Sequence, residues 1–152
     1  MENKKFSLID FLGANPDRTV SRIDYIHAVY KIHDVPSDFI ISMMELVSPT
    51  FIEIDGLAFI SSQFNKDEYQ KMLSEGHTVN AAQFWLNLLE ISGLFEDVET
   101  ETCLELGQVL CEAWNLKLLA KFPNTCELAR VIHDHETNEV FIVVGRLESE
   151  LA

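Results

Sequence analysis

The sequence predicts an α+β fold that is mostly helical and contains two β-hairpins. Three observations support this: apolar residues recur at helical spacing behind several helix caps, Asp55-Gly56 separates two short apolar runs, and a second pair of strand-like runs lies within 127–145. The chain has 152 residues, which is enough for one hydrophobic core. We therefore predict a single domain over 1–152, with a subdivision into 1–64 and 65–152 as the alternative.

The first part of the chain predicts three helices. A short mixed segment covers 6–12, and Ser21, followed by Asp24, is typical of a capping box that opens a helix over 21–33. Ser37 can cap the next helix, over 37–48, in which apolar residues cover nearly every face. A helix of this composition must be buried in the fold or must bind something.

Two hairpins are predicted, one in the middle of the chain and one at its end. Asp55-Gly56 supplies the two positive φ angles that a type I′ turn needs, so the flanking runs 51–54 and 57–60 are predicted to pair. The last hairpin joins 127–133 to 139–145. Its run Phe141 to Val144 is apolar on both faces, which indicates a central or covered strand.

Three more helices are expected between the hairpins. Asn65 with Glu68 opens one that ends at about Ser74, before Gly76. The other two are predicted from Asn80 to Gly93 and, behind a capping box formed by Thr102 and Glu105, from Thr102 to Phe122.

The order of helix, helix, helix and hairpin over residues 6–62 resembles a winged-helix arrangement, with the Asp55-Gly56 hairpin as the wing. The winged-helix proteins that read DNA need basic or amide side chains on the recognition helix and a basic wing. Residues 37–48 carry Asp38 and Glu45 and no Lys or Arg, and the wing carries Glu53 and Asp55. A module of this kind that contacts proteins is compatible with the same charges.

Acidic residues dominate the charge of this chain. There are 25 Asp and Glu against 11 Lys and Arg, for a formal net charge of -14. Residues 1–35 carry five groups of each sign, whereas the stretch from Lys66 onwards carries six basic and sixteen acidic groups. Such a field repels phosphate backbones and anionic lipid and attracts a basic protein. We therefore expect no nucleic acid and no membrane as partner.

The cysteines indicate a reducing compartment. Cys103, Cys111 and Cys126 are odd in number and lack the spacing of a zinc site, so we interpret them as reduced thiols in the cytoplasm. No apolar run approaches the roughly 20 residues that span a bilayer.

Candidate catalytic and metal-ligating residues are few. His133 and His135 form an H-x-H pair, the weak candidate for a metal site, but they fall in the polar turn of the last hairpin and would need His27, His33 or His77 as a third ligand. Cys126 and His133 are seven positions apart, more than ~20 Å along a strand, which is too far for a catalytic pair. We predict no metal, no cofactor and no catalytic residue.

The candidate partner-binding residues are acidic. Glu96, Asp97, Glu99 and Glu101 form the densest run of carboxylates, and we choose this run as the partner-facing patch. The second candidate edge is Glu53 with Asp55 in the predicted wing. A solvated loop, whose carboxylates stabilise the dipole of the next helix, is the alternative interpretation of the run.

Three function hypotheses follow. The first is a non-enzymatic acidic protein that sequesters or neutralises a basic protein, for example an immunity protein whose acidic face mimics the phosphates of a nuclease toxin's substrate. The second is a winged-helix-like adaptor or regulator, a homodimer through helix 37–48 or the last hairpin. The third is an enzyme whose unrecognised site contains His27, His33 or the pair His133 and His135.

Overall fold

The structure is a computed structural model that describes residues 5–124 and 127–151, and it is a mixed α+β fold, as the sequence predicts. The chain divides into two compact units, Met1–Ser42 and Met43–Ala152. The number of independently folding domains stays a prediction.

The first unit contains two short helices and the start of a third: α1 (Leu8–Gly13), α2 (Arg22–Ile32) and α3 (Ser37–Val47). Capping boxes open α1 and α2, at Ser7 and Ser21. Three aromatic rings, those of Phe6, Phe11 and Tyr25, pack together, and the Tyr25 hydroxyl donates a 2.6 Å hydrogen bond to the carbonyl of Phe6. Among the described residues 5–42, Phe11 is the only one that is buried.

The second unit begins with the predicted hairpin. Strands β1 (Phe51–Ile54) and β2 (Leu57–Ile60) pair antiparallel, with Phe51 opposite Ile60. Asp55 and Gly56 have φ angles of 51° and 80°, the two positive angles on which the prediction rested. The turn chemistry of this segment therefore decides its structure locally.

Helices α4 (Lys66–Ser74) and α5 (Val79–Asn87) follow the hairpin, and α5 ends earlier than predicted. Asn65 caps α4 as expected, but Thr78, and not Asn80, caps α5 through a hydrogen bond to the amide of Ala81. After Asn87 the backbone is extended at Leu88, and strand β3 (Leu89–Glu90) and helix α6 (Ile91–Leu94) replace the predicted helix to Gly93.

The early end of α5 has a physical cause at Asn87, which is fully buried. Its Oδ1 accepts a hydrogen bond from the amide of Ile60, and its Nδ2 donates to the carbonyls of Ala58 and Val144, all at 2.9 Å. These hydrogen bonds join α5 to strands from both hairpins. They hold Asn87 in place at the residue where the helix ends.

The long helix α7 (Thr100–Lys121) covers a three-stranded sheet in the order β3, β5, β4. Strand β4 (Ala129–Asp134) pairs with β5 (Glu139–Val144), which is central and mostly buried, as the apolar run predicted. Gly107 permits close packing here, because a Cβ at this position would lie 3.1 Å from Val131. A short helix, α8 (Glu148–Leu151), ends the described chain.

The predicted start of α7 at Thr102 is wrong, because Glu99 is the N-cap and Thr102 lies inside the helix. The capping box that Thr102 and Glu105 could form is therefore not used. The order α1, α2, α3, β1, β2 is present, and the winged-helix interpretation of it stays a prediction. Phe51 and Ile60 of the hairpin share a core with Trp114 of α7, and β2 packs on α5.

Candidate functional site

The acidic run chosen from the sequence lies where α6 leads into α7. Glu96 and Asp97 occupy the turn, Glu99 is the N-cap of α7 and Glu101 is in its first turn. All four side chains are exposed. We call these four residues the acidic turn. Negative charge at a helix N-terminus stabilises the helix dipole, so Glu99 and Glu101 contribute to the fold as well as to the surface field.

Two further carboxylates extend this surface along α7. Glu105 and Glu112 are exposed and lie four and eleven positions after Glu101, a spacing that places all three on one face of a helix, over ~17 Å. Sequence reasoning missed them as surface residues because Glu105 was assigned to a capping box. The signal that would have found them is their helical spacing.

The second candidate edge, Glu53 and Asp55, is on the first hairpin. Glu53 is exposed on β1. Asp55 is in the turn and accepts a 2.5 Å hydrogen bond from the hydroxyl of Tyr69. This bond gives Asp55 a structural role. Of the two residues, Glu53 therefore remains the candidate for contact with a partner.

The negative charge belongs almost entirely to the second unit. Residues 1–42 contain five basic and six acidic groups, net -1, whereas residues 43–152 contain six basic and nineteen acidic groups, net -13. Four of those six cations already bind oxygen atoms within the unit. Lys117 donates to Ser48, Lys121 to the carbonyl of Phe51, Arg130 to Glu150, and Arg146 pairs with Glu127.

The weak metal candidates His133 and His135 have ring centroids 4.1 Å apart. Between them, Asp134 accepts hydrogen bonds from the amides of Glu136 and Thr137, which is typical of a polar turn. The bond from the Glu136 amide is the main cause of the lowered pKa of Asp134. Among the described residues, no group of three His, Cys, Asp or Glu side chains is placed to hold a metal ion.

Of the remaining histidine candidates, His77 is exposed between α4 and α5, and His27 and His33 belong to the first unit. His27 lines a surface pocket of about 320 Å³ together with Arg18, Lys31 and Asp24, and His33 does not line it. The pKa of Asp24 is lowered, first by the backbone hydrogen bond from Ser21 and then by its side chain, with smaller contributions from His27 and Arg18. The pocket lining contains no cysteine or serine that could act as a nucleophile.

Two of the three thiols are shielded from solvent. Cys103 is fully buried, and burial raises the pKa of the Cys111 thiol to about 11, with a smaller contribution from Glu112. A thiol with a raised pKa is a poor nucleophile at neutral pH. Cys126 lies outside the described residues.

Exposed apolar side chains also occur on α2 and α3. Neither helix contains a buried residue, although Ile23, Ile26 and Tyr30 recur at helical spacing on α2. On α3, Phe39 and Ile41 are also exposed. Among the described residues, no side chain of the helix predicted at 37–48 is buried, although Leu46 is partly buried and packs against the core that contains Trp114.

Comparisons with protein-family models, with curated proteins and with solved structures found no match to this chain. Across the described residues, no helix is both long and apolar enough to cross a bilayer.

Proposed function

We propose that this protein is a non-enzymatic binding protein that sequesters or neutralises a basic protein in the cytoplasm, as an immunity protein does with a nuclease toxin. The observation that carries the proposal is the net charge of -13 on residues 43–152, where four of the six cations are occupied by internal partners. Uncompensated charge of one sign accelerates encounter with a partner of the opposite sign.

The position of the charge on a rigid element supports the same proposal. Glu101, Glu105 and Glu112 are carried by a helix of 22 residues whose opposite face packs Trp114 and Leu118 into the core. The helix fixes the backbone positions of these residues, so only their side chains must be ordered when they pair with cations of a partner. Repulsion of phosphate by this face supports the absence of a nucleic-acid partner.

The second candidate function is a homodimeric adaptor or regulator that acts through protein contacts. The exposed apolar side chains of α2 and α3 favour it, because large exposed apolar patches usually mark protein–protein interfaces. The two functions are compatible, since the acidic and the apolar surfaces lie on different elements.

The proposal is tested first by capture. The immobilised full chain is exposed to a lysate of its source cell at low ionic strength, eluted with a salt gradient, and the eluate is identified by mass spectrometry. We expect a basic protein that leaves only at high salt, because screening weakens attraction between exposed charges. Failure to retain any basic protein would contradict the proposed function.

Two matched variants then locate the binding surface on the captured protein. One neutralises the acidic turn with Glu96→Gln, Glu99→Gln and Glu101→Gln, and Asp97 is kept because it has an interaction partner within the chain. The control, Glu75→Gln, Glu136→Gln and Glu148→Gln, changes exposed carboxylates elsewhere and has the same net charge. We expect the first variant to associate about 10-fold more slowly at low salt and the control to stay near the wild type. Equal slowing of both would refute this location but not the function.

A further inference from the structure

We propose that the pocket of the first unit binds a small organic phosphate, a phosphate monoester, through the side chains of Arg18, His27 and Lys31. We call this cavity the basic pocket. Its volume is about 320 Å³, and all of its lining residues lie within 11–31, so it is contained in the first unit. This inference is independent of the proposed binding of a basic protein by residues 43–152.

Two elements of the first unit supply the polar groups of the basic pocket. Asp24, His27 and Lys31 line it from α2, and their spacing of three and then four positions places them on one side of that helix. The segment between α1 and α2 supplies Arg18 and Thr19. A ligand in the pocket therefore meets nitrogen-bearing side chains from both elements.

Hydrogen bonds hold the segment that carries Arg18. Nδ2 of Asn15 donates to the carbonyl of Phe11 at 2.8 Å, and the amide of Arg18 donates to the carbonyl of Asn15 at 3.3 Å. Phe11 is the buried residue of α1, and its ring packs against that of Tyr25 on α2. Because these contacts fix the backbone around the pocket, less of it must be ordered when a ligand binds.

The basic pocket is positively charged although the chain is acidic. Arg18 and Lys31 each carry one positive charge, and Asp24 is the one carboxylate of the lining. The amide and the hydroxyl of Ser21 both donate to Oδ2 of Asp24, at 2.7 and 2.8 Å. Among the described residues, neither Arg18 nor Lys31 has a carboxylate at ion-pair distance. Their charges are therefore available to an anion.

The kind and number of donors favour a phosphate over a carboxylate. The guanidinium of Arg18 can bind two phosphate oxygens at once, the ammonium of Lys31 acts as a point charge, and an imidazole such as that of His27 donates an N–H whether it is neutral or charged. A phosphate monoester has three terminal oxygens and a charge of about −1.5 to −2 at neutral pH. It therefore matches three nitrogen-bearing side chains, two of them permanently charged.

The rest of the lining indicates the size of the ligand. Phe11, Val20 and Ala28 supply apolar walls for an organic group. A volume of about 320 Å³ is at the lower end of the range for small-molecule sites, which indicates a single small molecule. A polynucleotide would extend beyond the pocket, and its other phosphates would be repelled by a chain of net charge -14.

The first test is a titration of the full chain with phenyl phosphate, followed through the NMR shifts of its backbone amides. In about 150 mM NaCl, charges more than about 8 Å away are largely screened. We expect the largest shifts within residues 15–31 and saturation with a Kd below about 1 mM. Benzoate has the same ring with a carboxylate and should bind about 5-fold more weakly or worse.

Two outcomes of this titration would overturn the proposal. The first is the absence of saturable shifts within 15–31 at phenyl phosphate concentrations up to about 10 mM, ten times the expected limit of Kd. The second is tighter binding of benzoate than of phenyl phosphate, which would refute phosphate as the class of ligand. Neither outcome bears on the binding of a basic protein.

Single substitutions test the two cations. Arg18→Gln and Lys31→Gln should each raise the Kd for phenyl phosphate about 10-fold, because each removes a hydrogen bond between charged groups. Arg22→Gln is the matched control, since it removes the same charge from α2 at a residue that does not line the pocket. It should change Kd less than about 2-fold. Equal weakening in all three variants would show that only net charge attracts the phosphate, and would refute the site.

A further variant tests the cavity without a change of charge. Ala28 is half-buried on α2, and Ala28→Leu should fill part of the pocket and raise the Kd about 10-fold or more by steric exclusion of the ligand. Leu is a good helix former, and circular dichroism checks that the variant is folded. Unchanged affinity in the folded variant would show that phenyl phosphate binds outside the pocket, and would overturn the proposal.

Discussion

The hydroxyl of Tyr69 donates a 2.5 Å hydrogen bond to Oδ2 of Asp55 and so ties α4 to the turn of the first hairpin. The Tyr69 ring is buried and packs against those of Phe59 and Phe64, which also contact each other. Burial, followed by the hydrogen bond and the charge of Asp55, raises the pKa of Tyr69 from its ordinary value of 10.0 to about 12. The protonated phenol is therefore part of the folded structure.

Replacing Tyr69 by Phe should change the stability and its dependence on pH. A raised pKa means that the folded state retains the proton more tightly, so this contribution is present below pH 10 and is lost as the pH rises from about 10 to 12. We expect Tyr69→Phe to lower the free energy of unfolding by about 1 kcal/mol at pH 7 and to remove this part of the alkaline loss. Urea unfolding between pH 7 and 11.5 measures both, with Tyr30→Phe as the exposed control. An unchanged alkaline slope would show that the hydrogen bond does not form in solution.

Replacing Asn87 by Ala should be strongly destabilising. The variant leaves the buried amide of Ile60 and the carbonyl of Val144 without the partners that Asn87 supplies. Each such loss costs roughly 1–3 kcal/mol, so we expect the free energy of unfolding to fall by about 3 kcal/mol. Asn80→Ala, on the first turn of the same helix, is the control and should change stability by less than about 1 kcal/mol. A small effect of Asn87→Ala would mean that water replaces the amide.

The described thiols should react only after unfolding. In a Cys126→Ser variant, Cys103 and Cys111 are the remaining thiols, and both are buried. With the Cys111 pKa raised to about 11, little of that thiol is the reactive thiolate at pH 8. A disulfide reagent should label less than about one tenth of the thiols in the time that labels a guanidinium-unfolded sample completely. Rapid labelling of the folded variant would indicate an accessible nucleophile and would favour the enzyme hypothesis.

The parts of the fold that the sequence predicts well are those decided by neighbouring residues. Asp55-Gly56 makes its turn through the φ angles that these two residues tolerate, and Ser21 caps α2 through Asp24, three positions away. The end of α5 is different. Apolar spacing continues beyond Asn87, and the break depends on carbonyls 29 and 57 positions away. No local pattern contains that information.

Of the candidate surfaces, one could be predicted from neighbouring residues and the other could not. The acidic turn was predictable because charge runs are usually exposed, and Glu96 to Glu101 are. For the helix over 37–48 the sequence predicts that it is buried or binds something, because a helix that is apolar on all faces is usually buried. Among the described residues, Phe39 and Ile41 are exposed, and the apolar pattern of the helix does not predict which of its residues are.

The amide of Asn87 also has a consequence for folding kinetics. Its partners Ile60, Ala58 and Val144 lie 27, 29 and 57 residues away, so both hairpins must be in place before its desolvation is compensated. We expect an interaction that requires so much prior structure to form after the transition state, so that its removal accelerates unfolding while the folding rate stays nearly constant. On this expectation Asn87 lengthens the lifetime of the native state, and the speed with which that state is reached depends on other residues.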